Sequence, residues 1–239
     1  MSLAKNWKVP KRKQPIWKIV RPFLKGKYKV DVEFLGEKFP EKCIIISNHA
    51  NKRGPMAYEI SLPVFHATWG AYQMLGSYKD RFKYLRNVLY IQKNGFGKFK
   101  ATFKASYEAL FSIFFYKGMK ILPSYPDARL RTTLKHSMDV LDSGAAVSMY
   151  PEDSGDGYHD ELKKFFPGFV MLAEQYYKKT GEDVPVIPVY YSIEKKKIVV
   201  GNAFSIQDMF KEGLDRYQIA DRCKEIVNDL YRNYFKDQK

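Results

Sequence analysis

Cysteine is almost missing from this chain: Cys43 and Cys223 are the only two in 239 residues. No disulfide framework fits that count, and no His/Cys spacing suits a metal ion. Cys43 begins an apolar run and Cys223 lies in a helical pattern. Both read as free, buried thiols in a reducing compartment. Long apolar runs are missing too. The richest, residues 109–116, falls short of the ~18–20 residues that span a bilayer and stops at Lys117-Gly118. No apolar core precedes a cleavage site near the start, so no secretory leader is expected. Acidic residues are missing from the first 30 positions, which hold ten Lys or Arg.

What is present suits one ordinary domain. Hydrophobic residues make up 45%, enough for a full core at this length. The net charge is +15, and the first 30 residues supply most of it. A basic, Trp-bearing amphipathic segment is drawn to anionic membrane surfaces. Solubility alone also fits such a charge, and so does nucleic acid, though no recognition motif accompanies it. The chain holds 18 Tyr and 17 Phe, rings that suit a core or a boundary between apolar and wet regions.

Periodicity sets the organisation. Residues 1–27 read as a basic amphipathic segment, with a short helix over 15–25 that puts Ile16, Trp17, Val20 and Leu24 near one face. Residues 28–239 read as a single domain. Strands are predicted at 28–35, 43–47, 119–123, 145–150, 184–190 and 197–200. Helices are predicted at 55–62, 98–117, 127–143, 165–180 and 214–235. Buried strands that alternate with helices predict an α/β fold with a mostly parallel central sheet flanked by helices. Ligands bind such sheets beyond the carboxyl ends of the strands.

Two strands end in polar turns there. The first runs into Ser47-Asn48-His49, and imidazole suits general-base work near neutral pH. Ser47 and Asn48 can fix the loop or cap the next helix. The second runs into Tyr150-Pro-Glu152-Asp153-Ser154-Gly155. Glu152 can accept from a substrate hydroxyl, and Ser154 can donate to a phosphate. Between them, Arg129 or Arg131 near a helix start can grip a phosphate. The two are two residues apart and point in different directions.

The order of these segments resembles the glycerolipid acyltransferases typified by 1-acylglycerol-3-phosphate acyltransferase. That family carries Asn-His-x4-Asp, a Gly…Arg block, Phe-Pro-Glu-Gly-Thr-Arg and a Val-Pro-Ile-Val-Pro-like strand. Here Asn48-His49 stands for the first block and the stretch from Gly118 to Arg129 for the second. Tyr150-Pro151-Glu152-Asp153-Ser154 stands for the third, and Val184-Pro-Val-Ile-Pro-Val189 for the fourth. Phe166-Pro-Gly168-Phe169 and Leu172-Ala173 add to the likeness.

The resemblance implies a glycerol-phosphate acyltransferase-like fold and a peripheral membrane acyltransferase with no bound cofactor and no metal. Its acceptor would be a lysophospholipid such as lysophosphatidic acid. Its donor would be acyl-CoA or acyl-acyl carrier protein, an acidic partner that suits a basic surface. Its place would be cytoplasmic, on the inner face of the cell membrane. His49 would be the base, with Asn48, Arg129, Arg131, Glu152 and Ser154 on the substrate.

The chain departs from the pattern where it matters most. The aspartate that orients the histidine falls on Gly54, and the block-three arginine is missing. Glu59, about 140° further around the helix than Gly54, and Asp153 are the candidate replacements. The alternative is a catalytically silent relative that binds lipid or phosphate. His66, His136 and His159 lie outside the blocks and read as structural or surface residues.

Overall fold

The computed structural model describes residues 8–9, 15–51 and 53–236. Of the basic amphipathic segment expected over residues 1–27, residues 1–7 and 10–14 lie outside them.

Seven strands form one sheet: β1 (Asp31–Phe34), β2 (Ile44–Ser47), β3 (His66–Ala71), β4 (Leu122–Ser124), β5 (Ala146–Met149), β6 (Val186–Ser192) and β7 (Lys197–Val200). Their spatial order is β1-β7-β6-β2-β5-β3-β4. Every pairing is parallel except the β6–β7 hairpin. The fold is therefore α/β with a mostly parallel sheet flanked by helices, as the alternation of buried runs predicts. β2 and β5 are buried at every position and mostly apolar because both of their faces are covered. β3 was absent from the sequence reading. Its His-Ala-Thr-Trp-Gly-Ala run neither alternates nor forms an apolar block, and pairing with β5 and β4 makes it a strand.

The helices are α1 (Pro15–Tyr28), α2 (Arg53–Ser61), α3 (Tyr78–Lys83), α4 (Lys98–Gly118), α5 (Leu130–Asp142), α6 (Gly168–Thr180), α7 (Ile206–Lys211) and α8 (Arg216–Tyr231). Two apolar clusters cover the two faces of the sheet. One joins Ile44, Ile46, Val147 and Met149 to α5, α6 and α8. The other joins Cys43, Ile45 and Ala146 to Ala57 and Tyr58 of α2. Both cysteines are free and buried, and burial pushes each thiol up to about 12.

Residues 72–118 form a helical layer with a cluster of its own. A π-helical segment, Tyr84–Lys93, places Leu85 and Tyr90 against Ala101, Ala105 and Ala109 of α4. Alanine at every fourth position gives α4 a flat buried stripe on which a second helix can lie closely. Neither α3 nor the π-helix has the clean 3.6-residue pattern that a sequence reading needs.

α1 is longer than the expected 15–25 and is docked on the domain. Trp17 is 2% exposed, and its indole Nε1 donates to Glu59 at 3.0 Å. Arg21 Nη2 donates to the Ile60 carbonyl of α2 at 3.0 Å. A Cβ on Gly118 would come within 2.8 Å of the Trp17 ring, so a residue without a side chain lets α4 end against it.

Candidate active site

The register of β2 and β5 builds the site. Ile44 pairs with Val147 and Ile46 with Met149, so the two strands end side by side. His49 lies two residues past β2, and Glu152 three residues past β5. Side chains more than a hundred residues apart in sequence thus share one crevice beyond the strand ends.

Ala50 and Asn51 both take left-handed backbone conformations, with φ of 47° and 58°. Two consecutive non-glycine residues there are costly and mark a constrained turn. The turn aims the Asn51 carbonyl at His49, whose Nδ1 lies 2.7 Å from that oxygen. A carbonyl only accepts, so Nδ1 carries the proton and Nε2 is left with its lone pair. The ring is held edge-on by Tyr150 at 5.0 Å and stacked by Tyr158 at 5.1 Å. Burial, with the charge of Lys93 next in size, lowers its pKa from 6.5 to about 4. His49 is therefore neutral at physiological pH, in the tautomer a base at Nε2 requires.

The residue expected to orient His49 cannot be restored at position 54. A Cβ on Gly54 would sit 2.0 Å from the His49 carbonyl oxygen, and the Gly54 amide donates to the Ala50 carbonyl at 3.2 Å. The first turn of α2 is folded directly onto the histidine's own backbone. Neither proposed replacement supplies the carboxylate. Glu59 is buried on α2, but its carboxylate faces Trp17 and lies 3.7 Å from His66 Nε2. Asp153 accepts from the Gly155 amide at 3.2 Å and lies 3.7 Å from Lys164 Nζ. A backbone carbonyl has taken the place of the aspartate.

Glu152 lies at the end of β5 with part of its carboxyl uncommitted. Its Oε1 is buried and takes no hydrogen bond among the described residues. Burial pushes its pKa from 4.5 to about 7, against the pull of the His49 amide and of Lys93. Lys93 was missed by the sequence reading. The π-helix brings it to the strand ends, where Nζ donates to Ser154 Oγ at 2.6 Å and lies 5.4 Å over the Tyr158 ring. A lone Lys-Asn-Gly at a helix end carries no signal of such a position.

Asn48 does something other than hold substrate. Its Nδ2 donates to the Tyr191 carbonyl at 3.0 Å, and its Oδ1 accepts from the Tyr191 amide at 2.9 Å and the Tyr58 hydroxyl at 2.6 Å. Buried among these partners, it ties the end of β2 to β6. Arg129 is also committed elsewhere. Its guanidinium forks onto the Asp127 carboxylate, with Nη2 at 2.6 Å, between the rings of Tyr72 and Tyr125. It follows β4, three strands from β2 and so about 14 Å across the sheet. Arg131 is exposed on α5. The structure thus unites His49, Glu152 and Ser154, adds Lys93, and leaves Arg129, Arg131, Glu59 and Asp153 turned to other partners or to solvent.

An open cleft of about 570 Å³ adjoins this group, and its lining includes Asn51, Arg53, Tyr90, Asn94, Phe96 and Lys104. Among the described residues no cluster of three or more His, Cys, Asp or Glu could hold a metal ion.

No protein-family model matches this chain, and no curated protein does. Among solved structures, the chain is similar to the crystal structure of the 1-acyl-sn-glycerophosphate (LPA) acyltransferase PlsC from Thermotoga maritima. The TM-score is 0.50 at 14% identity, over 92% of this chain and 82% of that one. At this identity the likeness establishes the fold: the fold neighbour is an acyltransferase.

Proposed function

We propose that the protein is a peripheral membrane acyltransferase that moves an acyl group from a thioester donor to the hydroxyl of a lysophospholipid acceptor. The observation that carries this reading is the pair at the ends of β2 and β5. His49 has its Nδ1 proton fixed on the Asn51 carbonyl and a free Nε2, and Glu152 has a buried, unpaired oxygen. The acceptor hydroxyl donates its one proton to Nε2, and ionised Glu152 balances the charge of the imidazolium that forms. As its oxygen bonds to the thioester carbonyl carbon, its proton passes to Nε2. The tetrahedral intermediate then expels the thiolate, which takes that proton back. An ester and a free thiol result, and His49 returns to its starting tautomer. Lys93 adds positive charge where the oxyanion develops.

The lipid surface is met by α4 and α1. Phe99, Phe103, Tyr107, Leu110, Phe111 and Phe114 are all exposed and lie on the side of α4 opposite its buried alanines; Ile19 and Phe23 of α1 are 67% and 80% exposed. An apolar face that also carries Lys100 and Lys117 suits the headgroup boundary of an anionic leaflet. Among the described residues no helix is long and apolar enough to cross a membrane. Phe99→Ser/Phe103→Ser should lose co-sedimentation with anionic vesicles at unchanged thermal stability; undiminished binding would remove α4 from this role.

Thiol release from acyl-CoA or acyl-acyl carrier protein in the presence of lysophosphatidic acid tests the reaction. Release that depends on the lysolipid supports it. One observation favours a second reading, a silent lipid-binding relative: the partner of His49 is an uncharged carbonyl, which stabilises an imidazolium less than a carboxylate does. Tight lysolipid binding without thiol release from either donor would establish that reading instead.

A further inference from the structure

The reaction needs an anion site, and neither arginine expected to supply it stands at the ends of β2 and β5. Arg129 is neutralised by Asp127, and Arg131 is exposed on α5. The cleft beside Asn51 has what that region lacks. Arg53 begins α2 one residue before the glycine packed on His49, and Lys104 faces it from α4. Among the described residues neither cation forms an ion pair with a carboxylate. Lys104 Nζ instead lies over the rings of Tyr90 and Phe96, at 5.3 and 5.4 Å, and Lys100 lies 4.5 Å over Phe96. Glu108, one turn along α4, engages the Tyr90 hydroxyl. Cations held over aromatic faces keep their outward N–H groups for a ligand.

The cleft also touches both halves of the catalytic group. Asn51 contributes the carbonyl that holds His49, and Asn94 follows Lys93. Its other border is the apolar face of α4. Lys104 comes one residue after exposed Phe103, so it stands at the edge between the cleft and that face. A ligand lying across this edge would put an anion between Arg53 and Lys104, a hydroxyl toward His49 and a hydrocarbon tail along α4.

We propose that this cleft binds the phosphate monoester of the acceptor, with Arg53 and Lys104 as its anion clamp and Asn51 and Asn94 as neutral hydrogen-bonding groups at its wall. The assignment rests on the acyltransferase reading for its choice of acceptor, though the clamp itself is testable without turnover. A phosphate monoester also occurs on coenzyme A, so the experiment separates the two sources.

Binding of lysophosphatidic acid and of uncharged monoacylglycerol is measured by calorimetry on wild type, on Arg53→Gln/Lys104→Gln, and on Lys178→Gln/Lys211→Gln, which removes the same charge from α6 and α7. Wild type should prefer the phosphorylated lipid by ~10-fold or more, the worth of one charge-assisted contact. The cleft variant should lose that preference, and the distant variant should keep it. All three should share one thermal unfolding midpoint, because Arg53, Lys104, Lys178 and Lys211 are exposed. Undiminished preference in the cleft variant overturns the proposal. So does equal loss in both variants, which would mean unspecific charge attraction. A parallel arm compares coenzyme A with its 3′-dephospho form. If only that preference disappears in the cleft variant, the clamp belongs to the donor and the acceptor assignment falls. If wild type binds the lysolipid through this clamp yet releases no thiol, the acyltransferase reading fails while the clamp stands.

Discussion

The sheet and the helical layer over residues 72–118 contribute to the same site in different ways. The sheet brings His49 and Glu152 together by register, at the ends of adjacent parallel strands. The helical layer brings Lys93, Tyr90, Asn94 and Lys104 to that place by packing a π-helix on the alanine stripe of α4. Strand register is rigid and leaves a trace in the sequence, because a buried strand followed by a polar turn is a recognisable pattern. Helix packing leaves almost none. Under the proposed acyltransferase reading, the sheet side fixes the chemistry and the helical side fixes what is brought to it and how it is charged.

That division can be broken from either side. The largest effect is expected at His49. His49→Ala should lower thiol release by ~10³-fold, toward background, since general-base catalysis alone is worth about 10²–10⁴. Retained activity would remove His49 from the base role.

Gly54→Asp comes next, and it is expected to harm the protein. Its Cβ would press on the His49 carbonyl, so destabilisation of ~3 kcal/mol in urea unfolding is expected, with lower activity. A variant as stable as wild type and more active would show that the loop can re-form around a carboxylate.

On the helical side, Lys93→Met should cost ~10- to 100-fold in kcat/KM. The acid limb of the pH profile should also move to higher pH, because the Lys93 charge lowers the Glu152 pKa from where burial would put it. An unmoved limb would mean that the helical layer does not tune the carboxyl.

The smallest effect is on stability. Between pH 4.5 and about 7, folded Glu152 keeps a proton that the unfolded chain has lost, so stability falls as pH rises through that interval. Between about 4 and 6.5 the unfolded chain binds a proton at His49 that the folded state refuses, so stability rises with pH there. The two slopes oppose each other over their overlap. Glu152→Gln should expose the rising limb in unfolding measurements across pH 4.5 to 6.5. The same slope as wild type would show that Glu152 does not titrate in the folded state as its burial dictates.

Much of the sheet side was legible. β2, β5, β6 and β7 follow from short apolar runs, and the position of His49 and Glu152 past strand ends follows from the order of elements. The orienting group was not, because it is a main-chain oxygen. Any residue has one, and only the left-handed pair Ala50-Asn51 aims it at the ring. The partners of Asn48 were hidden for a related reason. An amide beside a candidate catalytic histidine looks the same in sequence whether it meets substrate or ties β2 to β6. For Arg129 the sequence shows a cation near a helix start, and only the fold shows that Asp127, two residues earlier, captures its charge.

The sequence by itself determined the alternation of buried strands and helices, the basic charge, and a histidine and a carboxyl at two strand ends. These are local patterns of hydrophobicity and residue type, which survive in one dimension. Tertiary structure alone decided what packs beside each basic group. Arg129 lies against a carboxylate, and among the described residues Arg53 and Lys104 line a cleft with none in its wall. Charge is a property of a residue, but the charge available to a ligand depends on what packs beside it, and Arg53 and Lys104 are 51 positions apart in the chain.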